Sequence, residues 1–167
     1  NAGVGLAGLV WEHSDADWQW VLGVNLMGVV NGIRAFVPDM IKAGQPAHIV
    51  NTASVAGLLS APNMGVYNVS KHGVVALSET LHHDLRMVGA SLGVSVLCPA
   101  FVPTGIFDSE RHRPSRFASD TPKTESMLAG QQAGAKAVVA VNAVGGIHAA
   151  MGAGHFCGPH QIIDYAS

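Results

Sequence analysis

Two short apolar stretches, AHIVNTAS at 47–54 and LGVSVLCP at 92–99, constrain this chain most, because a long helical pattern precedes each. Such stretches read as buried strands. Parallel strands need a crossover of a dozen or more residues, and the run over 65–89 is long enough to supply it. The alternation predicts an α/β fold with a parallel sheet covered by helices in three layers.

The first helical run begins where Ser14 is followed by Asp15 and Asp17, a capping side chain with acids in the first turn. Trp18, Val21, Leu22, Asn25, Leu26, Val29, Ile33, Phe36 and Val37 recur at helical spacing. The pattern predicts a helix over 15–43, kinked at Pro38 and stopped by Gly44. The second run, 65–89, also stops at a glycine. After Phe101 the texture turns polar and proline-punctuated, predicting a long mobile loop to about residue 124. An alanine-rich helix over 125–151 and one short strand within 154–167 complete the expectation, with residues 1–167 forming a single domain.

Composition narrows the function classes. Apolar residues make up 49% of the 167 and charged residues 12%, so the chain is globular with a large buried fraction. A net charge of −2 and no basic run give nucleic-acid binding no electrostatic support. Cys98 and Cys157 stand far apart, outside any metal-ligand spacing, which fits free thiols in a reducing compartment. Among the nine histidines, only His82 and His83 adjoin, and His112 lies between Arg111 and Arg113, so no metal site is expected. No signal peptide and no 18-residue apolar span are read in the chain, which predicts a cytoplasmic protein without a membrane partner.

The segment GVGLAG near the start fits G-x-G-x-x-G. A phosphate loop needs a strand before it and a helix opening at its last glycine. LVWEHSDADW follows instead, so the spacing is read as coincidence.

Tyr67 and Lys71 stand four apart at the start of the second long helix and share a face. A cation beside a phenol lowers its pKa and makes tyrosine usable as an acid or base. The competing reading is a surface tyrosine under a lysine stem. Ser54 ends the turn after the first strand, thirteen residues before Tyr67, and Asn25 lies on the apolar side of the first helix. Each alone reads as a turn serine or a backbone-bonding asparagine.

Together the four match the Asn–Ser–Tyr–Lys tetrad of the short-chain dehydrogenase/reductase family, which the sequence resembles from its start through PAFVPTGI (99–106). The resemblance implies a Rossmann-like fold of which this chain is the C-terminal portion, with the first βαβαβ half, about 80 residues, upstream. It implies NAD or NADP as cofactor. The family's Asn-Asn-Ala-Gly segment appears as Asn1-Ala2-Gly3 without its first asparagine, and its Pro-Gly segment as Pro99-Ala100, followed by Val102 and Thr104 near the nicotinamide. Ala100 stands where the family has glycine.

The implied catalytic residues are Asn25, Ser54, Tyr67 and Lys71. Tyr67 exchanges the proton on a substrate oxygen, and Ser54 hydrogen-bonds that oxygen. Lys71 lowers the Tyr67 pKa and binds the ribose, and Asn25 holds a water through a local helix distortion. Ser54, Leu58, Tyr67 and Phe101 would meet the substrate, a small-molecule secondary alcohol or ketone. Leu59, Asn63, Met64, Ile106, Phe107 and the 105–124 loop complete an apolar wall, with ordinary core packing as the competing reading. Arg111, Arg113 and Arg116 read as a solvated loop face rather than a site for an anionic substrate. The two long helices imply a homodimer or homotetramer. Two other readings are an inactive fragment serving as an oligomerisation or binding module, and a lyase or epimerase using the same tyrosine and lysine.

Overall fold

The computed structural model describes residues 2–100, 102, 104–118 and the backbone of 160–164. The helix expected over 125–151 lies outside the described residues, as do Asn1, Phe101 and the side chain of Phe107.

Helix α1 (Asp15–Asn25) starts at a capping box. The Ser14 hydroxyl accepts from the Asp17 N–H, and the Asp17 carboxylate accepts from the Ser14 N–H at 2.9 Å. Helix α2 (Met27–Ala43) follows after a single residue. The expected single helix is thus two, and the break falls at Leu26 rather than Pro38. Leu26 stays in the right-handed helical region at φ −97° and ψ −54°, and its own N–H still donates to the Leu22 carbonyl at 3.0 Å. Pro38 passes inside α2 on a solvated side, where water can satisfy the carbonyl that its missing N–H abandons. Gly44 closes α2 at φ +64°, a left-handed cap that costs glycine little.

Strand β1 (Ala47–Thr52) leads through a 3-10 turn (Val55–Gly57) into α3 (Gly65–Met87), which returns the chain to β2 (Leu92–Pro99). β1 and β2 pair in parallel from Ala47 opposite Leu92 to Thr52 opposite Leu97. β3 (His160–Asp164) pairs with the other edge of β2 and runs antiparallel, with Ser95 opposite Asp164. The sheet is therefore parallel in its first pair only; an antiparallel edge strand on such a sheet is a common variant. Between β2 and β3 lie two 3-10 segments, Gly105–His112 and Ser115–Phe117, where the sequence suggested a mobile loop.

Alternation along β2 sends Leu92, Val94, Val96 and Cys98 to one face, all buried. There they meet Val37 and Val29 of α2 and Val74, Leu81 and Leu85 of α3. A third cluster joins Val4 and Leu6 to Trp20, Val21 and Val66. Polar residues on the inner face find partners: the Asn51 amide donates to Ser78 Oγ at 3.0 Å, and Ser78 donates to the Val74 carbonyl. Val50, on the opposite face of β1, is 59% exposed. Beside β1 and α2 opens a groove of about 680 Å³, lined in part by Gly28, Gly32, Phe36 and Ile49.

The run Asp15–Ala43 contains an 18-residue window of mean hydropathy 1.4. By length and composition it could cross a membrane, contrary to the expectation that no such span exists. Its inner residues Trp20, Val21 and Val37 are buried in the fold.

Candidate active site

β1 delivers its carboxyl end to the site. Ala53 extends the ladder by donating to the Leu97 carbonyl at 2.8 Å, and Ser54 follows in an extended conformation. The Ser54 hydroxyl accepts from the Ala56 N–H at 3.1 Å, which starts the 3-10 turn. That turn lies directly on α3. A Cβ at Gly57 would sit 2.7 Å from the Lys71 carbonyl oxygen, so only glycine permits this approach.

The close approach brings Ser54, Tyr67 and Lys71 together. Tyr67 is 8% exposed, and the Ser54 side chain is near enough to its phenol to act on it electrostatically. Lys71 is 5% exposed; its ammonium lies 5.7 Å from the centre of the Tyr67 ring and donates to the Thr52 carbonyl at 3.3 Å. One helical turn separates the two on α3, so both side chains follow the same face to the end of β1.

Asn25, at the end of α1, is buried and committed on every side. Its Oδ1 accepts from the Val4 N–H at 2.8 Å, and its Nδ2 donates to the Val4 carbonyl at 2.9 Å and to Ser70 Oγ at 3.0 Å. Ser70 in turn donates to the Tyr67 carbonyl at 2.7 Å. A continuous path of hydrogen bonds thus ties residues 2–5 to α3. Asn25 is the last residue of α1, next to the boundary with α2 at Leu26.

The electrostatics correct one expectation. Burial pushes the Tyr67 phenol above its ordinary value, and the Ser54 side chain pulls the other way. The group opposing the rise is therefore Ser54, where the sequence pointed to Lys71. Burial also holds the Lys71 ammonium below its ordinary value, with Cys98 opposing. The Cys98 thiol is pushed up by burial, against the Ser54 backbone and Lys71.

Ala2 and Gly3 lie at the surface beside Asn25, and Pro99 and Ala100 close the carboxyl end of β2. Val102 and Thr104 follow, just before the first 3-10 segment. Ala2 lines the groove beside β1 and α2, whereas Ser54, Pro99 and Ala100 follow the carboxyl ends of β1 and β2, the end at which open α/β sheets take ligands. The GVGLAG segment starts no helix. Its Val4, Gly5 and Gly8 N–H groups are used by Asn25, Ser109 and the Asn63 carbonyl, as the coincidental spacing requires.

Leu58 packs on the Val74–Cys98 cluster, so part of its surface is core, whereas Leu59 is 56% exposed. Asn63 holds φ +59°, a left-handed turn that asparagine tolerates, and the Asn68 amide pins this loop through the Ala61 carbonyl at 2.8 Å.

Sequence reasoning missed a buried ion cluster. Arg113 does not belong to a solvated face: its side chain is 7% exposed and meets Asp17, which is fully buried, at 2.7 Å. Arg111 is exposed and pairs with Asp108. The available signal was Glu110 three residues before Arg113, a spacing that pairs charges on one helical turn.

The family profile of short chain dehydrogenases matches residues 1–115. A dehydrogenase/reductase of CLA biosynthesis from Lactiplantibacillus plantarum is 37% identical over 135 residues, 79% of this chain and 47% of that protein. A C alpha-dehydrogenase from Sphingobium is 36% identical over 71% of this chain and 38% of its own length. Among solved structures, a short chain dehydrogenase/reductase from Burkholderia phymatum in complex with NAD is 59% identical. It superposes with a TM-score of 0.75 over 80% of this chain and 47% of that one, so the fold is Rossmann-like. The chain spans about half the length of these relatives or less.

Proposed function

The chain belongs to the short-chain dehydrogenase/reductase family, and we propose that its protein carries out NAD-dependent oxidation of a secondary alcohol, or the reverse reduction of a ketone. The observation that carries this reading is the placement of Ser54 with the buried Tyr67 and Lys71 past the carboxyl end of β1. The Burkholderia phymatum relative, solved with NAD, supports that cofactor over NADP.

The donor set fits the nicotinamide end of NAD. The Lys71 ammonium has three donors, of which Thr52 takes one, leaving others for ribose hydroxyls. Asn1, Ala2, Gly3, Pro99, Ala100, Val102 and Thr104 would flank the same group. NAD, when bound, supplies the two-electron couple for the substrate carbon.

The chain's own residues handle the oxygen and its proton. Tyr67 gives or takes the proton, and Ser54, beside the phenol, stabilises charge developing on the same oxygen. Lys71 is close enough to stabilise a phenolate once formed. Asn25 keeps residues 2–5 and α3 in register, acting through Val4 and Ser70. Leu58, Leu59, Met64, Phe101 and Ile106 would form an apolar wall for a substrate of some bulk.

A second reading, self-association, rests on exposed apolar residues of the helices: Phe36 at 68%, Val69 at 49% and Met87 at 84%. A homodimer or homotetramer built on α2 and α3 would cover them. An inactive oligomerisation module would keep this surface and turn nothing over.

The test is nicotinamide absorbance with a panel of secondary alcohols and ketones, using the full-length protein with NAD and with NADP. Turnover in the wild type, lost in Tyr67→Phe with cofactor binding retained, is the expected result. Equal turnover in Tyr67→Phe would overturn the assignment.

A further inference from the structure

The segment 104–118 leaves the carboxyl end of β2 and is fastened to the rest of the fold at two points. At the first, the Gly5 N–H donates to Ser109 Oγ at 3.0 Å, and Ser109, 3% exposed, donates to the Ile106 carbonyl. A Cβ at Gly5 would lie 3.0 Å from that Ile106 oxygen, so strap and strand-end meet backbone to backbone.

The second point is Arg113. Its Nε and Nη2 take both oxygens of Glu110 at 2.7 and 2.8 Å, a planar fork that only arginine presents. Its Nη1 reaches Asp17 at 2.7 Å and the Phe117 carbonyl at 2.9 Å. The guanidinium also lies 4.2 Å above the Trp20 ring. Asp17 is itself immobile, because its second oxygen accepts from the Ser14 N–H and hydroxyl, both at 2.9 Å. Phe117 packs beside Trp20 and Val21 in the core. A side chain this enclosed is built to hold the segment, not to meet solvent.

The fastened segment abuts the path to the catalytic cluster. Gly5 carries Ser109, and its neighbour Val4 is held by Asn25, which reaches Tyr67 through Ser70. We propose that Arg113 is a positioning residue that, by binding Asp17 and Glu110, fixes residues 104–118 as the substrate-side wall and thereby sets substrate affinity. Arg113 touches none of Ser54, Tyr67 or Lys71 in the contacts described, so its loss weakens the wall and spares the proton chemistry. The substrate clause rests on the alcohol/ketone reading above; the fastening does not.

The test uses the full-length protein with NAD, comparing wild type, Arg113→Met and the milder Arg113→Lys. Limited trypsinolysis after Arg111 and Arg116 reports the fastening without any substrate. Cleavage about tenfold faster in Arg113→Met is expected, with Arg113→Lys between, at a temperature where both variants remain folded by circular dichroism. With an active substrate, KM rises about tenfold in Arg113→Met while kcat and cofactor affinity stay within about threefold. Unchanged cleavage in both variants, or a fall in kcat at unchanged KM, overturns the proposal. If Arg113→Met does not fold, Arg113→Lys is held to the same two criteria, at about threefold. A wild type inactive on every alcohol and ketone sinks the reaction and the substrate clause, while the cleavage rates still decide the fastening.

Discussion

The side-chain amide of Asn25 grips the peptide group of Val4 from both sides, accepting from its N–H and donating to its carbonyl. The grip couples the end of α1 to the strand-like segment at residues 4–6, whose Val4 and Leu6 are buried. Both Val4 groups lose their partners in Asn25→Ala. Each buried polar group left unpaired costs about 1–3 kcal/mol, so a loss of about 2–6 kcal/mol is expected in urea denaturation. A loss below about 1 kcal/mol would mean that the grip is incidental.

Gly57→Ala tests the seating of the Ser54 turn. The new methyl would meet the Lys71 carbonyl at 2.7 Å and a Val75 methyl at 3.0 Å, and neither the helix backbone nor a packed valine yields readily. Overpacking of this kind costs about 1–3 kcal/mol. Turnover should fall more than tenfold, roughly, because Ser54 shifts with its turn. Thermal melting and the alcohol assay read the two effects separately.

Tyr67 should titrate late. Burial raises its phenol above the ordinary 10.0, so the tyrosinate absorbance of wild type minus Tyr67→Phe should have its midpoint above that value in the cofactor-free protein. Ser54→Ala removes the group that opposes the rise, moving the midpoint higher still. On linkage, a raised pKa contributes stability that is whole below pH 10.0 and declines as pH climbs toward the folded value. A midpoint at or below that of free tyrosine would contradict the burial argument.

Lys71 carries the opposite sign. Burial lowers its pKa below 10.5, so the charged form is disfavoured in the folded state. Stability from this group rises with pH between its folded value and 10.5, because the unfolded chain there binds more protons. Lys71→Met should therefore abolish turnover yet melt higher than wild type near neutral pH, with the advantage shrinking as pH approaches 10.5. A variant that melts lower at neutral pH would show that the bond to Thr52 outweighs desolvation.

Asp17→Ala removes a helix cap and a partner of a buried cation together. Losing the cap and one charge-assisted bond together costs about 2–5 kcal/mol, since Arg113 keeps Glu110 as its other partner. Asp15→Ala, in the same helical turn, should cost under about 1 kcal/mol. Comparable losses at both positions would make the effect one of helix charge alone.

Much of the site was legible because local periodicity placed it. Tyr67 and Lys71 share a helix face by spacing, and Ser54 follows a strand that its apolar run announces. Long-range effects were not legible. The helix boundary at Leu26 adjoins the tertiary grip of Asn25 on Val4, while Pro38, the conspicuous breaker, lies where water can repair it. The direction of the Tyr67 shift depends on how deeply the fold buries the ring, which spacing does not report. Arg113 looks solvated in ERHRPSR because Asp17, the acid that it meets, lies far earlier in the chain.

The two oxygens of Asp17 have an evolutionary consequence. One begins a helix and the other holds Arg113, so selection on either task acts on the same codon. A substitution at 113 takes the arginine from the acid, and a substitution at 17 takes from the base one of its two carboxylates. Drift at either site is then conditional on the other, and the pair should be kept or lost together. Swapping segment 104–118 between homologues to change their substrate range would succeed only where the acid travels with it.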